Sequence, residues 1–489
     1  MRAKALLLAT ILSFLTSALA QVNFTITRYG VPGPAEGVVT GDFNKDGFPD
    51  IALTNGQTGP SQVTIFLGTG GGNFAFLGNV TVRAFPKFIV AADVNNDGNL
   101  DLILNYENNG GNPGQADNVL TILYGNGDGT FRPGTELVRT NQIRTFAAGD
   151  FNRDGNLDLA FSECDASTCN IVFEKGNGAG VFTQTGTIVT TGLNSEMIAR
   201  DMNGDGFIDI LVIRTNEVLL FGGNGAGGFN SFIKFTPPKV CTNPSTCTDV
   251  LSGLAAGDFN NDGQLDFAVN QAHGCGGTAC GDNTVYIYKH TSGFSFTRVS
   301  SFNVGTITAG GSLVASDLNG DQNIDLIVNN GALRGGGVVY ALGHGDNTFG
   351  TQGSINFAAL AQLVARDVSL DSRHDLLGAS WEDFSAQVAV NTSAFTNCAP
   401  PKSNTLAAKI CGPANNSTAA SPVLVKGSGN SPAGVQRLEI WLDGVKKHQK
   451  WNDQIAKRIS MTHGSHRVTI VAVDSFKGTA KTSVMVNVP

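Results

Sequence analysis

After its first 20 residues, the chain has no apolar run that approaches the roughly 20 residues a membrane helix requires. It has no stripe of Lys or Arg, and its aromatic residues do not interleave with basic ones, which argues against nucleic-acid binding. No Gly-Lys dipeptide occurs, so its glycine-rich segments do not fit a phosphate-binding loop. Neither H-E-x-x-H nor G-x-S-x-G is present, and the 7 His residues are scattered singly. We therefore expect no membrane insertion, no nucleic-acid partner and no catalytic activity.

The first 20 residues have the features of a signal peptide. Arg2 and Lys4 precede an apolar run from Ala5 to Leu15, and Ala18-Leu19-Ala20 resembles a cleavage site. The mature chain is therefore predicted to be soluble and secreted, either extracellular or periplasmic.

The 8 Cys residues fit an oxidising compartment and fall into pairs that are close in sequence. Eight Cys allow 105 connectivities, so pairing between neighbours is a hypothesis. A zinc site would need closer CxxC-type spacing, which makes disulfides the favoured interpretation. The predicted pairs are Cys164/Cys169, Cys241/Cys247, Cys275/Cys280 and Cys398/Cys411.

One nine-residue segment recurs along the chain, and Asp150 to Asp158 is a representative copy. Carboxylates stand at positions one, five and nine, an amide at position three and Gly at position six. Ca²⁺ binds six to eight oxygens from such groups and from backbone carbonyls, and Gly permits the positive φ of a tight turn. Surface turns that bind nothing are the alternative for any single copy, but repetition favours about six structural Ca²⁺ sites. The copies begin at Asp42, Asp93, Asp150, Asp201, Asp258 and Asp317 (loops one to six), and a degenerate copy begins at Asp367 (loop seven).

Four side chains in each of loops one to six are predicted to bind metal. In these loops, 18 of the 40 acidic residues are the Asp at positions one, five and nine, so the acidic balance implies no basic partner. The predicted ligands are Asp42, Asn44, Asp46, Asp50, Asp93, Asn95, Asp97, Asp101, Asp150, Asn152, Asp154, Asp158, Asp201, Asn203, Asp205, Asp209, Asp258, Asn260, Asp262, Asp266, Asp317, Asn319, Asp321 and Asp325.

The loops do not belong to helical EF-hands, because position twelve never carries the bidentate Glu of that motif. A short apolar run such as Leu157 to Phe161 follows each loop and favours a buried strand. Loop six has Gln322 in place of Gly, which predicts a strained turn. Loop seven has Ser369 and Ser372 in place of Asn and Gly, so whether it binds metal is left open.

The loops begin 50 to 59 residues apart, a period typical of solenoids and propellers. No long stretch shows helical periodicity, so we predict an all-β fold with about four strands per repeat. A Gly-rich hairpin such as Gly125 to Phe131 joins the third and fourth strands, and its Phe is expected to fill the gap between neighbouring sheets. The hairpin recurs at Gly68 to Phe74, Gly176 to Phe182, Gly222 to Phe229 and Gly343 to Phe349.

The paired F/L-G-N-G-x-G-x-F hairpins and D-x-N-x-D-G-x-x-D loops resemble FG-GAP (VCBS-type) repeats. That resemblance covers roughly Asn23 to Thr396 and implies a propeller like that of the integrin α-subunit, with seven blades and Ca²⁺ loops. The last repeat lacks a fourth strand, so Asn23 to Tyr29 is predicted to supply it and to close the ring, since open strand edges need protection. The propeller is assigned to residues 21–396.

After the repeats the composition changes to Pro, Ser, Asn and Ala, which predicts a linker over residues 397–420. Short alternating segments between Gly turns follow and predict a small β-sandwich over residues 421–489. It resembles bacterial Ig-like modules at Trp441 to Gly444 and Gly464 to Val468. Trp441 and His466 are interpreted as core and turn residues.

Strand counting places the metal loops and the Gly hairpins on one face of the ring and the loops between second and third strands on the other. Three of the predicted disulfides map to that opposite face, where short rigid loops would reduce the ordering cost of binding. The candidate ligand-binding residues there are Tyr106, Glu107, Glu163, Asp165, His273, Arg334, Trp381, Glu382 and Asp383. Ordinary solvated loop residues remain the alternative for each of them.

Two functions remain open. The first is a secreted calcium-binding recognition or cell-adhesion protein that binds an extracellular protein or glycan on the opposite face. The second is a polysaccharide-active enzyme of lyase or dehydratase type, which needs an acid and a base in one pocket. His273, Tyr106 and Glu382 could supply these groups, but nothing in the sequence connects them. The sequence favours recognition.

Overall fold

The computed structural model describes residues 22–56, 61–107, 118–165, 168–192, 194–241, 248–275, 278–279, 283–305, 311–329, 337–371, 373–393, 401, 405–419, 421, 423–431, 434–451, 453–475 and 477–489. The described residues form β-strands and no helices, which confirms the all-β prediction. No helix in these ranges could span a membrane. The predicted signal peptide lies outside the described residues.

Between residues 22 and 393, the described strands form seven antiparallel sheets that follow one another along the chain. The first four are sheet one, β2 to β5; sheet two, β6 to β9; sheet three, β10 to β13; and sheet four, β14 to β17. Their strands, preceded by β1, are β1 (Phe24–Gly30), β2 (Ala35–Gly41), β3 (Asp50–Asn55), β4 (Gln62–Gly70), β5 (Asn73–Thr81), β6 (Pro86–Ala92), β7 (Asp101–Tyr106), β8 (Val119–Gly125), β9 (Phe131–Val138), β10 (Gln142–Gly149), β11 (Asp158–Cys164), β12 (Thr168–Gly176), β13 (Phe182–Thr191), β14 (Asn194–Arg200), β15 (Asp209–Arg214), β16 (Glu217–Gly223) and β17 (Phe229–Phe235).

The remaining three are sheet five, β18 to β22; sheet six, β23 to β26; and sheet seven, β27 to β29 with β1. Their further strands are β18 (Thr248–Gly257), β19 (Asp266–Cys275), β20 (Thr278–Ala279), β21 (Thr284–Ser292), β22 (Ser295–Asn303), β23 (Leu313–Ser316), β24 (Asp325–Asn329), β25 (Val338–Gly343), β26 (Phe349–Ile355), β27 (Leu360–Arg366), β28 (Asp375–Ser380) and β29 (Ser385–Asn391). The first strands, β2, β6, β10, β14, β18, β23 and β27, contact one another in a cycle that returns from β27 to β2. The arrangement is propeller-like, and we call it the ring.

The N-terminal strand completes the last sheet, as the sequence predicts. β1 pairs antiparallel with β29 along its whole length, from Phe24 opposite Asn391 to Gly30 opposite Ser385. Sheet seven therefore contains residues from both ends of the repeat region. β1 thereby covers the edge of β29, which the last repeat alone would leave open.

The hairpin Phe residues pack between sheets, also as predicted. Phe131 of sheet two meets Phe43 of loop one edge to face at 5.4 Å between ring centroids. Phe229 and Phe151 make the same contact at 5.4 Å, and Phe349 and Phe259 at 5.7 Å. Each Phe of this kind joins a hairpin to the metal loop of the preceding sheet.

Residues 405–489, which we call the C-terminal module, form two further sheets around their own apolar core. Val425 and Ile455 enter the core from one sheet, and Ile440 and Ile470 enter it from the other. One sheet has the order β30-β32-β35 and the other the order β31-β37-β36-β33-β34. The bounds are β30 (Ala407–Gly412), β31 (Ser417–Thr418), β32 (Val423–Asn430), β33 (Val435–Leu442), β34 (Val445–Lys450), β35 (Gln454–Ile459), β36 (Gly464–Asp474) and β37 (Thr479–Val488).

The linker prediction over residues 397–420 is wrong in its second half. β30 pairs with β32, and β31 pairs with β37. Leu406, Ala408 and Ile410 pack against the core of the module, because alternate residues of β30 face inward. Pro, Ser and Asn residues surround this short alternating segment, so the composition of the region did not reveal the strand.

The structure confirms one predicted disulfide, Cys164–Cys169, which closes the turn between β11 and β12. Cys241 and Cys411 are also disulfide bonded. The side chains of Cys247, Cys275, Cys280 and Cys398 lie outside the described residues. The remaining predicted pairings therefore stay predictions.

Candidate metal loops and the surfaces around them

Each loop folds around its own polar side chains, as loop one illustrates. Asp42 accepts hydrogen bonds from the backbone N–H groups of Asp46, at 3.1 Å, and Gly47, at 3.0 Å. Asn44 Oδ1 accepts the N–H of Asp46 at 3.1 Å, and Asp46 Oδ1 accepts that of Phe48 at 2.8 Å. Positions one, three and five therefore bend the backbone around themselves, which explains why the loop needs short oxygen-bearing side chains.

The Asp at position nine connects the loop to the Gly hairpin. Asp50 is fully buried; its Oδ2 accepts the N–H of Phe43 at 2.7 Å, and its Oδ1 that of Gly68 at 2.8 Å. A Cβ on Gly68 would lie 2.3 Å from the Pro49 carbonyl oxygen, so only Gly fits there. The hairpin contact recurs as Asp101 with Gly125, Asp158 with Gly176, Asp209 with Gly223, Asp266 with His290, Asp325 with Gly343 and Asp375 with Asn391.

These contacts place the metal loops and the hairpins on the same face of the ring, the metal-loop face, as strand counting predicts. Hairpins also contact the loop of the preceding sheet. Gly129 of sheet two donates its N–H to the Phe43 carbonyl at 2.9 Å, and Gly180 of sheet three donates to the Val94 carbonyl at 3.2 Å. The loops therefore form part of the contact between sheets.

Two positions in each of loops one to six adopt positive φ, although the sequence indicated only position six. Gly47 at position six has φ of 88°, and Lys45 at position four has φ of 60°. Gln322, which replaces Gly in loop six, has φ of 74°, so its side chain is held in a conformation that favours Gly. Position four was missed because several residue types occupy it.

Burial raises the pKa of the position-nine carboxylates, and the neighbouring Asp residues of the same loop add to the effect. The pKa of Asp50 rises to about 7, with Asp42 and Asp46 contributing. The pKa values of Asp209 and Asp266 also rise to about 7, and those of Asp101 and Asp158 to about 6. The three carboxylates of a loop thus repel one another, and a cation would relieve this repulsion.

The donor set fits a hard cation only if amide and backbone oxygens take part. In the described part of the chain, no group of three or more His, Cys, Asp or Glu side chains is arranged to hold a metal ion. Each of loops one to six brings together two carboxylates, at positions one and five, and an Asn amide at position three, while position nine faces the hairpin backbone; Asp150, Asp201 and Asp258 at position one are buried. Ca²⁺ accepts ligand sets of carboxylate, amide and backbone carbonyl oxygens.

In two of the loops, a Lys side chain pairs with the Asp at position five. Lys175 Nζ lies 2.9 Å from Asp154 Oδ2 in loop three, and Lys289 Nζ lies 3.5 Å from Asp262 Oδ2 in loop five. Both Lys side chains are well exposed, so these ion pairs contribute little on their own. They would compete with a metal ion for the position-five carboxylate.

Loop seven contacts the C-terminal module. His374 Nε2 lies 3.0 Å from Asp453 Oδ2 of the module, and His374 Nδ1 lies 2.5 Å from Ser316 Oγ in the ring. Arg373, which stands where loops one to six have an uncharged residue, contacts Asp371 and donates to the Asn391 carbonyl at 3.0 Å. Arg373 and His374, which depart from the pattern of loops one to six, therefore make contacts within the protein.

The C-terminal module covers the metal-loop face at loops four to seven, which the sequence did not indicate. Lys477 Nζ donates to the Gly206 carbonyl of loop four at 2.7 Å, and Gln449 Nε2 donates to the Gly263 carbonyl of loop five at 2.8 Å. Lys450 is almost fully buried. Burial lowers the pKa of Lys450, while the carboxylates of Asp317 and Asp258 in loops six and five oppose that effect.

On the opposite face, two candidate ligand-binding residues lie at a small cavity of about 90 Å³. Tyr106 is buried and donates its hydroxyl to Thr121 Oγ1 at 2.8 Å. Burial raises the pKa of Tyr106. Glu107 is half-exposed and pairs with Lys87 at 2.7 Å. Tyr106 therefore supports the sheet, whereas Glu107 and Lys87 remain open to solvent.

Two further candidates stabilise their own loops. Glu163 is buried, lies 3.5 Å from Arg139 and accepts the N–H of Thr140 at 3.1 Å. Asp165 accepts the N–H of Thr168 at 2.8 Å, within the turn that Cys164–Cys169 closes. These contacts explain both residues without a ligand.

The last candidates lie in the turn between β28 and β29 or outside the described residues. Trp381 is half-buried, and Glu382 is exposed and accepts the N–H of Ala359 at 3.3 Å. Asp383 pairs with Arg28 at 3.3 Å. Arg334 and the side chain of His273 lie outside the described residues. Tyr106 in sheet two and Glu382 in sheet seven are not brought together by any described contact.

Three segments of the chain, residues 42–104, 108–161 and 201–269, match the family model described as FG-GAP-like repeat. The chain carries FG-GAP-like repeats. These FG-GAP-like segments contain loops one to five, so the family match falls on the recurrent loops that the sequence singled out. FG-GAP repeats and a disulfide are typical of extracellular proteins. Among curated protein sequences, none matches the chain significantly.

Solved structures similar to this FG-GAP-like chain are distant. A lectin from Agrocybe aegerita that recognises non-reducing terminal N-acetylglucosamine is 16% identical, with a TM-score of 0.43, over 76% of this chain and 95% of the lectin. An exotype rhamnogalacturonan lyase is 11% identical, with a TM-score of 0.45, over 76% of each chain. A protein of unknown function from Desulfotomaculum acetoxidans is 11% identical, with a TM-score of 0.46, over 68% of this chain and 91% of that protein. These likenesses are too distant to bear on function.

Proposed function

We propose that the protein is a secreted, calcium-stabilised recognition protein that binds an extracellular protein or glycan on the face of the ring opposite the metal loops. In this proposal the seven sheets are the blades of a propeller, residues 21–396 form that propeller, and the C-terminal module is Ig-like. The observation that carries the proposal is the position of the C-terminal module. It covers loops four to seven through Lys477, Gln449 and Asp453, whereas no described contact of the module reaches the opposite face, which is therefore left for a partner.

The opposite face offers polar groups that suit such a partner. Lys87 and Glu107 lie beside Arg144 and Ser195 at the cavity described above. Charged and hydroxyl groups around a shallow depression can bind sugar hydroxyls or a polar protein surface, because each contact is made at the edge of a rigid sheet. The Cys164–Cys169 disulfide holds one neighbouring loop in place.

The metal ions have a structural role in this proposal. Positions one, three and five of loops one to six would supply side-chain oxygens, and position nine would hold the loop against its hairpin. A bound Ca²⁺ would supply positive charge among carboxylates that otherwise repel one another. Since loops contact the hairpins of the next sheet, metal in the loops would also stabilise contacts between blades.

Catalysis remains the alternative that the sequence left open, with no specific observation in its favour. A general acid or base must be able to exchange protons with a substrate. The Tyr106 hydroxyl is buried against Thr121, which makes it a poor candidate. A reducing-sugar assay and an unsaturated-product assay on polysaccharides, run beside the binding experiment below, would separate an enzyme from a recognition protein.

Binding to a glycan array and to an array of extracellular proteins tests the proposal. We expect a specific signal that weakens at least tenfold in the double variant Glu107→Gln/Arg144→Gln. Arg298→Gln removes an exposed charge from β22 at the outer edge of the ring and should bind as the wild type does. A signal that survives the double variant unchanged would place the binding site elsewhere and contradict the proposal.

A further inference from the structure

A cavity of about 230 Å³ lies between the metal-loop face of the ring and the C-terminal module. The ends of the first strands of sheets four to seven form one wall, and residues of the C-terminal module form the other. Its volume exceeds the roughly 150 Å³ of a cavity that holds benzene. The cavity is therefore large enough for a small organic molecule.

The ring side of this cavity carries two arginines at equivalent positions. The residue just before the first Asp of each loop ends the first strand of its sheet and pairs with the Asp at position nine. Arg200 and Arg366 occupy this position in sheets four and seven, and both line the cavity. In the other five sheets the position holds a small residue: Gly41, Ala92, Gly149, Gly257 or Ser316. The repeat thus departs from its own pattern only where the cavity lies.

Arg200 has no acidic partner among the described residues. Its only described hydrogen bond runs from Nη1 to the Ala199 carbonyl at 2.9 Å. The Arg200 side chain is exposed and lines the cavity. Its remaining guanidinium N–H donors have no acceptor among the described residues, so they are suited to an anion from outside.

Arg366 differs from Arg200 because the protein already engages it. Its Nη2 donates to the Ser431 carbonyl at 3.0 Å, and the carboxylates of Asp453 and Asp367 oppose the lowering of its pKa by burial. Arg366 therefore helps to hold the C-terminal module over the cavity. Arg200 is the group left to bind a ligand.

The rest of the wall combines apolar surface with charged groups of both signs. Ala256, Ala315 and Ala365 lie in the wall, and Trp451 and Leu265 add apolar surface. The carboxylates of Asp367 and Asp453 also line the cavity; Asp453 pairs with His374 at 3.0 Å, and both carboxylates act on Arg366. The planar guanidinium binds a carboxylate through two parallel hydrogen bonds, while the apolar wall suits a carbon skeleton. We propose that this cavity binds a small organic carboxylate of about the size of one sugar ring, with Arg200 holding its carboxylate. The proposal concerns the metal-loop face and is independent of partner binding on the opposite face.

Isothermal titration calorimetry of the full chain tests this site with acetate, gluconate and glucuronate at constant ionic strength, with glucose as the neutral counterpart of glucuronate. We expect at least one of the two sugar acids to bind at least tenfold more tightly than glucose and acetate. Arg200→Gln should weaken that binding at least tenfold, and Arg298→Gln, on the outer strand β22, should leave it unchanged.

A second variant distinguishes loss of binding from loss of folding. Arg200→Lys keeps the charge but cannot form two parallel hydrogen bonds, so it should weaken sugar-acid binding at least threefold while its melting curve stays that of the wild type. The proposal is overturned if neither sugar acid binds the wild type at concentrations on the order of 10 mM, or if Arg200→Gln binds the sugar acids as the wild type does. Inorganic phosphate binding as tightly as the sugar acids would likewise overturn the assignment to an organic carboxylate.

Discussion

Asp50 Oδ1 accepts a hydrogen bond of 2.8 Å from the backbone N–H of Gly68, 18 residues later in the chain. The bond joins the end of loop one to the start of the hairpin in the same sheet, and an equivalent bond occurs in sheets two to six. In sheet seven, which has no such hairpin, Asp375 accepts the N–H of Asn391 at the end of β29. A buried carboxylate that accepts backbone N–H groups on both sides holds two turns in fixed positions. Position nine is therefore part of the fold, whether or not metal is bound.

Replacing this carboxylate should destabilise the ring. Asp50→Asn places an NH₂ group where Asp50 now accepts two backbone N–H groups, so one buried donor loses its acceptor. We expect the free energy of unfolding to fall by about 1–3 kcal/mol, measured by denaturant titration. Asp128→Asn, in the exposed hairpin of sheet two, should change it by less than about 0.5 kcal/mol. Equal effects of the two substitutions would contradict the structural role of position nine.

Loop six should be improved by restoring Gly at position six. Gln322 has φ of 74°, and Gln322→Gly keeps its backbone N–H bond to Asp317 while removing the strain of a side chain at positive φ. The expected gain is about 1 kcal/mol in the free energy of unfolding. Gln264→Gly in loop five, at position seven with ordinary φ, is the matched control and should lose about 0.5–1 kcal/mol. A loss of stability in Gln322→Gly would show that its turn is not strained.

Removal of calcium should lower the melting temperature. Extracellular Ca²⁺ modules bind with dissociation constants of about 10⁻⁴ to 10⁻³ M, and at tenfold excess each site adds about 1.4 kcal/mol, or roughly 8 kcal/mol for six sites. We expect a sharp fall of the melting temperature in excess EGTA and its recovery when Ca²⁺ is added in excess. Mg²⁺ is the control, because it demands a stricter octahedral geometry. A melting curve that EGTA leaves unchanged would rule out structural calcium.

The contact between His374 and Asp453 should make attachment of the C-terminal module depend on pH. Burial lowers the pKa of His374, but Asp453 at 3.0 Å outweighs burial and raises it to about 9. Because the folded pKa lies above the ordinary value of about 6.5, the stabilisation is complete below about pH 6.5 and is lost as the pH rises through about 9.

The variant His374→Gln measures that contribution. At pH 6 it should reduce the free energy of unfolding by on the order of 2 kcal/mol relative to wild type, and the difference should shrink towards zero near pH 10. His344→Gln, in an exposed hairpin, is the control and should show no pH-dependent difference. A difference for His374→Gln that stays constant from pH 6 to pH 10 would exclude the ion pair as its cause.

Much of the ring could be predicted from the sequence because its determinants are local. The spacing of Asp, Asn and Gly within nine residues sets the loop conformation through hydrogen bonds between near neighbours, such as Asp42 with Gly47. The repeat period and the incomplete last repeat predicted that β1 pairs with β29. Even the strain at Gln322 follows from comparison with the other loops.

The sequence could not show which candidate residues on the opposite face are available to a ligand, because it does not give their exposure or their hydrogen-bond partners. Tyr106 and Glu163 resemble surface residues in their loops, yet the first is buried against Thr121 and the second accepts the N–H of Thr140. The strand β30 was missed for a related reason, since its inward-facing residues are recognisable only against the core that they complete.

The sequence alone determined that the chain builds a cycle of similar four-stranded sheets with acidic loops on one face, because the interactions that shape each repeat join residues close in sequence. Only the tertiary structure decided that the C-terminal module rests on that face, through His374, Lys477 and Gln449. It also decided that Arg200, one residue before a loop, lines a cavity beside the C-terminal module. Such contacts join residues tens to hundreds of positions apart, so no local sequence pattern predicts them. They contribute to stability only when both surfaces are already folded.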